Sequence, residues 1–243
     1  MMELKSKKAA LFDLGSTLIE YENIPWDDIY VLCLKRAYDY LGLENINRPE
    51  WDKFYQAFLK MVIAAEMESL TTYREKDVFE LFRNYLASFG IDGDSGFHER
   101  FLKAYYRPIR ENLTLKKNAR EVLEYCRAQG HKLGLISNTI FPSQYHKQDM
   151  RDFGIYDYFD HMLFSSEYAY RKPHQSIFEE MLRKLDISAP EAFFVGDRPE
   201  IDILGAKNSG IYSILILKRG REYDDLTAAD LVIENLSELI DNY

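Results

Sequence analysis

Cysteine is scarce in this chain. Cys33 and Cys126 are the two present, each set among helix-like apolar residues, and neither belongs to a CxxC pair or a Cys/His cluster. A disulfide framework and a structural zinc site are therefore not what organises the fold. Two buried free thiols are expected instead. Long apolar runs are missing as well. The longest clean one towards the C-terminus, 211–217, is far too short to span a bilayer. The opening MMELKSKK is polar and lacks the apolar core and cleavage site of a secretory signal. A cytoplasmic protein without a membrane segment is the expectation. Neither a GxxxxGK[ST] loop nor a GxGxxG turn occurs, so nucleotide-binding folds lose their main support. Positive charge is in deficit too: 31 Lys and Arg against 40 Asp and Glu leave a net charge of −9. Such a chain repels bulk nucleic acid and anionic membranes, while a local pocket for a small anion stays open to it.

What is present is a globular composition. The hydrophobic share, 47% of 243 residues, is enough for a packed core and excludes wholesale disorder. Short apolar runs at 8–12, 132–136, 161–164, 192–195, 212–217 and 231–233 read as strands covered on both faces. Two helices stand out between them. In 118–129, Ala119, Val122, Leu123 and Cys126 share one helical face, with Asn118 as the expected N-cap, Glu121 at the capping-box position and Gly130 as the left-handed residue beyond the end. In 176–185, Ile177, Phe178, Met181, Leu182 and Leu185 repeat the pattern. Strands alternating with helices predict an α/β fold with a doubly wound, mostly parallel, Rossmann-like sheet. Ligands of such sheets bind beyond the carboxyl ends of the strands. The alternation breaks between about 26 and 110. There the pattern gives helices at 26–41, 49–68, 74–89 and 96–107, with turn or cap signals at Gly42, Asn47-Arg48-Pro49, Thr71-Thr72 and Gly90 through Ser95. The expected organisation is an α/β core of 1–20 and 111–243 with a helical insertion at 21–110.

Four polar clusters close the predicted strands or enter helices. They are Asp13-Leu14-Gly15-Ser16-Thr17, Ser137-Asn138, Arg171-Lys172-Pro173 and Gly196-Asp197-Arg198-Pro199-Glu200-Ile201-Asp202. A carboxylate at the first strand end, Asp13, is placed to attack phosphorus. Asp197 and Asp202, with Asp13, form a hard oxygen set suited to Mg2+, which would offset repulsion between an anionic nucleophile and a phosphate. Ser137, Asn138 and Lys172 are candidates for holding the phosphoryl oxygens. The remaining histidines (His98, His131, His146, His161 and His174) lack metal-ligand spacing and are expected in solvated or structural roles.

In this order the four clusters resemble the motifs of the haloacid dehalogenase superfamily across the whole chain. The resemblance implies an α-helical cap inserted after the first motif. It also implies a hydrolase, a phosphoric monoester phosphatase working through an aspartyl-phosphate on a small phosphorylated metabolite. Asp13 is then the nucleophile, steadied by Lys172, and Thr17 matches the motif threonine. Asp13, Asp197, Asp202 and the backbone carbonyl of Gly15 would hold Mg2+. One position departs from the pattern. Phosphatases of this superfamily usually carry a second aspartate where this chain has Gly15. The lost acid/base is worth about 10²–10⁴ in rate. Glu20 and Glu22, following in the flap segment, are candidate replacements. The alternatives are a 2-haloacid dehalogenase, which needs no such acid but dispenses with the metal; a phosphonate hydrolase using Lys53 or Lys60 as a Schiff base; and a non-catalytic binding protein on the same fold. Tyr73 and Arg74 are candidate substrate contacts in the insertion.

Overall fold

The short apolar runs become strands because alternate residues find helices to bury against on each side of the sheet. The computed structural model describes residues 4–223, 226 and 228–241. Residues 1–3, 224, 225, 227, 242 and 243, within the core bounds expected from sequence, lie outside the described residues. In chain order the elements are β1 (Ala9–Phe12), β2 (Ile19–Glu20), α1 (Trp26–Leu43), α2 (Trp51–Thr72), α3 (Val78–Ala87), α4 (Ser95–Glu111), β3 (Thr114–Leu115), α5 (Ala119–Ala128), β4 (Lys132–Ser137), α6 (Ser143–Asp152), β5 (His161–Phe164), α7 (Gln175–Leu185), β6 (Ala192–Gly196), α8 (Leu204–Asn208), β7 (Tyr212–Ile216), β8 (Leu231–Ile233) and α9 (Glu238–Asp241). The chain divides into two compact units, Met1–Glu20 with Leu115–Tyr243, and Tyr21–Thr114.

The first unit carries a six-stranded sheet in the order β5-β4-β1-β6-β7-β8, every pairing parallel. The expected doubly wound α/β architecture is thus observed. The chain winds outward from β1 to β4 and β5, then returns to the other side of β1 for β6, β7 and β8. That reversal beside β1 is the switch point at which such sheets open a crevice. On one face Ala9, Leu11, Ala192 and Phe194 pack with Ile177, Phe178 and Met181 of α7. Phe12 and Phe193 point the other way and meet edge to face at 6.5 Å. The apolar face of α5 foreseen from its spacing (Ala119, Val122, Leu123, Cys126) is fully buried.

The second unit is four helices around an aromatic core. Phe58, Phe82 and Tyr105 have centroids 5.0–6.5 Å apart. Such ring pairs stabilise beyond the area that they bury. The buried Tyr85 hydroxyl donates to the Phe54 carbonyl at 2.6 Å. Asp77 and Asp94 cap α3 and α4 by accepting from the first exposed N–H groups. Among the described residues, no helix is long and apolar enough to cross a membrane.

Several local expectations need correction. Asn118 does not cap α5: it adopts φ 64° and its side chain makes no capping bond, so the expected box with Glu121 does not form. Thr71 and Thr72 are not a turn, because α2 runs on to Thr72 and ends at Tyr73 with φ 53°. α3 begins only at Val78, where Asp77 supplies its cap. α6 and the two-residue strands β2 and β3 were not foreseen. Gly130 does take the left-handed conformation, φ 85°. Both cysteines are buried and free.

Candidate active site

Strand register brings the motif residues to one edge. Phe12 lies opposite Leu135 of β4 and Val195 of β6. The next residues along all three strands therefore emerge together: Asp13, Ser137 and Gly196-Asp197. The Asp13 N–H extends the ladder by one rung, donating to the Val195 carbonyl at 2.9 Å.

Asp13 is buried and held from both sides. Lys172 Nζ donates to Oδ1 at 2.6 Å, and the Thr17 hydroxyl donates to Oδ2 at 3.0 Å. Burial raises its pKa above the usual carboxylate range; the Lys172 charge opposes that rise and the Asp202 charge adds to it. Lys172, 1% exposed, also reaches Asp202 Oδ1 at 2.7 Å. Burial pulls the lysine pKa down, but the two carboxylates outweigh it and the net direction is up. Lys172 is therefore a fixed cation between two acids.

Asp202 is folded back onto the turn that carries it. Its Oδ2 accepts the N–H groups of Asp197 and Arg198 at 3.1 and 3.0 Å. The wide π-type turn Pro199–Ile203 supplies this geometry, as such turns often do at functional sites. Gly196 makes it possible: a Cβ there would sit 2.4 Å from the Asp202 Cβ and 2.7 Å from its Oδ2. Among the described residues, one oxygen each from Asp13, Asp197 and Asp202 lies within 4.8 Å of the others. Two ligand oxygens of one Mg2+ are at most about 4.2 Å apart, twice the usual bond length of about 2.1 Å. The 4.8 Å bound is wider than that, so the oxygens would have to draw in on a bound ion; the fit is one of chemistry, three carboxylates being the hard oxygen donors that Mg2+ takes. The effect on protonation is clearest at Asp197. Burial, followed by the charges of Asp13 and Asp202, pushes its pKa up to about 7.

The other motif residues are placed as follows. Ser137 is buried at the end of β4. Asn138 spends its amide on Lys172: Nδ2 donates to the lysine carbonyl and Oδ1 accepts the lysine N–H, both at 2.9 Å. Gly15 lies in a tight turn in which the Ser16 N–H donates to the Ile19 carbonyl at 2.7 Å and Ser16 adopts φ 59°. Glu20 is drawn into an ionic knot, accepting from the Ser16 hydroxyl (3.0 Å) and pairing with Lys116 (3.3 Å) and Lys218 (3.2 Å). These contacts occupy both of its carboxylate oxygens. Glu22, Tyr73 and Arg74 lie in the other unit. Lys53 and Lys60 lie there as well, and both are exposed, without the apolar pocket that activates a Schiff-base lysine.

Three further residues touch this region, two of them (Arg221 and Lys218) missed by sequence reading and one (His146) expected there only in a solvated or structural role. Arg221 donates to the Asp197 carboxylate, and to its carbonyl at 3.0 Å. Lys218 reaches Ser16 Oγ at 3.0 Å. His146 of α6 meets the Thr139 hydroxyl, just after Ser137-Asn138, at 2.7 Å.

A sequence model described as haloacid dehalogenase-like hydrolase matches residues 10–216. The chain belongs to the haloacid dehalogenase-like hydrolase family. Relatives within and around that family carry phosphatase names. The chain is 34% identical over 116 residues to glyceraldehyde 3-phosphate phosphatase of Methanocaldococcus jannaschii, covering 47% of this chain and 50% of that one. It thus spans about half the length of that relative. Ribulose-1,5-bisphosphate 5-phosphatase of Halopiger xanaduensis is 29% identical over 243 residues, covering 96% of this chain and 98% of that one. A solved haloacid dehalogenase-like phosphatase from Thermococcus onnurineus superposes with TM-score 0.67 at 26% identity, each chain 97% covered. The 2-haloacid dehalogenase of Pseudomonas syringae pv. Tomato DC3000 shares the fold with TM-score 0.73 at 23% identity, again with 97% of each covered.

Proposed function

We propose that this family member is a Mg2+-dependent phosphatase of small phosphorylated metabolites, acting through an aspartyl-phosphate on Asp13. The observation that carries the reading is the buried triad Asp13, Asp197 and Asp202, tied to Lys172 at the switch point of the sheet. Mg2+ held by these carboxylates and the Gly15 carbonyl would neutralise charge between nucleophile and substrate. In the first half-reaction an Asp13 oxygen attacks phosphorus and the ester oxygen leaves with its electron pair. Lys172 and Thr17 fix the direction of the carboxylate during this attack. The Ser137 hydroxyl and the Lys172 ammonium meet the phosphoryl oxygens, while Asn138 holds the lysine loop. In the second half-reaction water attacks the acyl phosphate, releasing inorganic phosphate and restoring Asp13. Residues 21–114 are the candidate cap and selectivity element.

The three carboxylates argue against the dehalogenase alternative, which has no use for a cation site. The phosphatase names of the relatives support a phosphoester substrate. The test is hydrolysis of p-nitrophenyl phosphate with and without Mg2+, beside a 2-haloacid and a phosphonoaldehyde. Metal-dependent phosphate release with the other two substrates inert is the expected result. Metal-independent halide release would overturn the reading. A panel of phosphorylated metabolites at equal concentration, sugar phosphates included, then ranks the substrates.

A further inference from the structure

Three acids meet in this site, and among the described residues the side-chain cations that touch their carboxylates divide between them, with the Arg198 charge acting on Asp197 as well. Lys172 bridges Asp13 and Asp202. Asp197 is left to Arg221, whose guanidinium contacts its carboxylate and lies 3.0 Å from its main-chain carbonyl. The Asp197 side chain is 3% exposed and that of Arg221 22%, so the pair is little screened by water. An arginine keeps its charge at any working pH. A cation bound through Asp197 would lie within one carboxylate group of that permanent positive charge. Coulomb repulsion then sets the two against each other at the same ligand.

We propose that Arg221 is the intramolecular counter-cation of the carboxylate triad, seated on Asp197 when no metal is bound and unseated when Mg2+ arrives. The inference rests on the metal reading above and adds a residue to it. Arg221 is a positioning residue in the metal-free protein. It satisfies Asp197 where three acids would otherwise crowd one another, and it lowers the affinity of the site for the ion. The chain then binds Mg2+ only where the ion is abundant enough to displace a built-in competitor.

Mg2+ titrations of the wild type, Arg221→Met and Arg221→Lys, followed by melting temperature and by calorimetry, test this. Arg221→Met removes the charge and keeps the length. Its metal-free form should melt lower than the wild type, while its Mg2+ midpoint should fall by about tenfold, opposite in sign to the loss that follows when a supporting partner of a metal ligand is removed. Arg221→Lys should stay near the wild-type midpoint. Damage of a purely structural kind would not tighten metal binding. An Arg221→Met midpoint equal to or above that of the wild type overturns the inference and leaves the metal site standing. A wild type and variant that are both indifferent to Mg2+ overturn the metal reading and this inference with it. The wild type alone gives a second measurement, needing no variant fold: the Arg221 side-chain N–H resonance should shift on Mg2+ addition, and a resonance that stays fixed at saturating Mg2+ refutes the displacement.

Discussion

Replacing His146 by glutamine should remove one identifiable part of the acid sensitivity of this fold. The ring is buried within α6, lies parallel to Phe164 at 5.7 Å, and meets the Thr139 hydroxyl. Burial lowers its pKa from 6.5 to about 4. The folded protein therefore holds the imidazole neutral, whereas the unfolded chain takes up a proton below about pH 6.5. The stability tied to the neutral ring is complete above the unfolded value and drains away as the pH falls towards the folded one. A shift from 6.5 to about 4 corresponds to about 3 kcal/mol in full, and to about 2.5 kcal/mol between about pH 7.5 and about pH 4.5. Carboxylates elsewhere also change protonation over this range, so the comparison of two proteins isolates the histidine. Urea unfolding of the wild type and His146→Gln at both pH values is the assay. The wild type should lose about 2.5 kcal/mol more than the variant on acidification. Glutamine keeps a hydrogen-bonding end for Thr139, so its own cost enters at both pH values and cancels in the difference. Equal losses in the two proteins would mean that the ring titrates normally, and that His146 does not fix the segment after Ser137-Asn138 as a neutral group.

Asp13→Asn should abolish turnover with thermal unfolding nearly unchanged; activity within a few-fold of wild type would remove Asp13 as nucleophile. Gly196→Ala forces a methyl into space 2.4–2.7 Å from the Asp202 side chain, so Mg2+ should no longer raise its melting temperature, while the wild type is stabilised by mass action. Retention of the full Mg2+ shift by this variant would show that Asp202 is not a ligand. Because Gly15 brings no acid and Glu20 is committed to Lys116 and Lys218, turnover should fall steeply as the leaving group becomes more basic. Aryl and acyl phosphates would be fast and alkyl esters slow; a flat series would reveal a substitute acid, with Glu22→Gln the next variant to assay. Gly15→Asp should selectively speed the alkyl esters by up to about 10²–10⁴ where the new carboxylate is well placed.

The six sheet strands were legible because each is a short apolar run stopped by a polar residue, buried throughout in β1 and β6 and partly exposed in the edge strands β5 and β8. The polar stops of β1, β4 and β6 belong to the candidate site, so there fold and site were read from one signal. What escaped notice lacks that contrast. β2 and β3 are two residues each and carry no periodicity. α6, with the sequence SQYHKQDMRD, is largely polar and buries little besides His146 and Met150 among its larger side chains. Asn118 has the right identity for a cap, but it adopts a positive φ and its side chain makes no capping bond. Arg221 and Lys218 were invisible for another reason. They meet Asp197 and Ser16 across separations of 24 and 202 residues, and no local spacing encodes such a meeting. Glu20 was legible as an acid near the first motif, whereas its two lysine partners were not.

The paired bonds between Asn138 and the Lys172 main chain have a consequence for what that position tolerates. A carboxamide is flat, with one donor and one acceptor side by side, and so it imitates a peptide unit. Here it completes a single rung of ladder between two loops that otherwise share no strand. Aspartate would offer the lysine carbonyl an acceptor facing an acceptor. Glutamine would present the right group one methylene too far out. Serine would match half of the pattern. The position is thus a gauge suited to asparagine, and what it holds is the main chain from which the lysine ammonium reaches Asp13 and Asp202. That anchorage is made by the folded chain itself, before any anion arrives to use it.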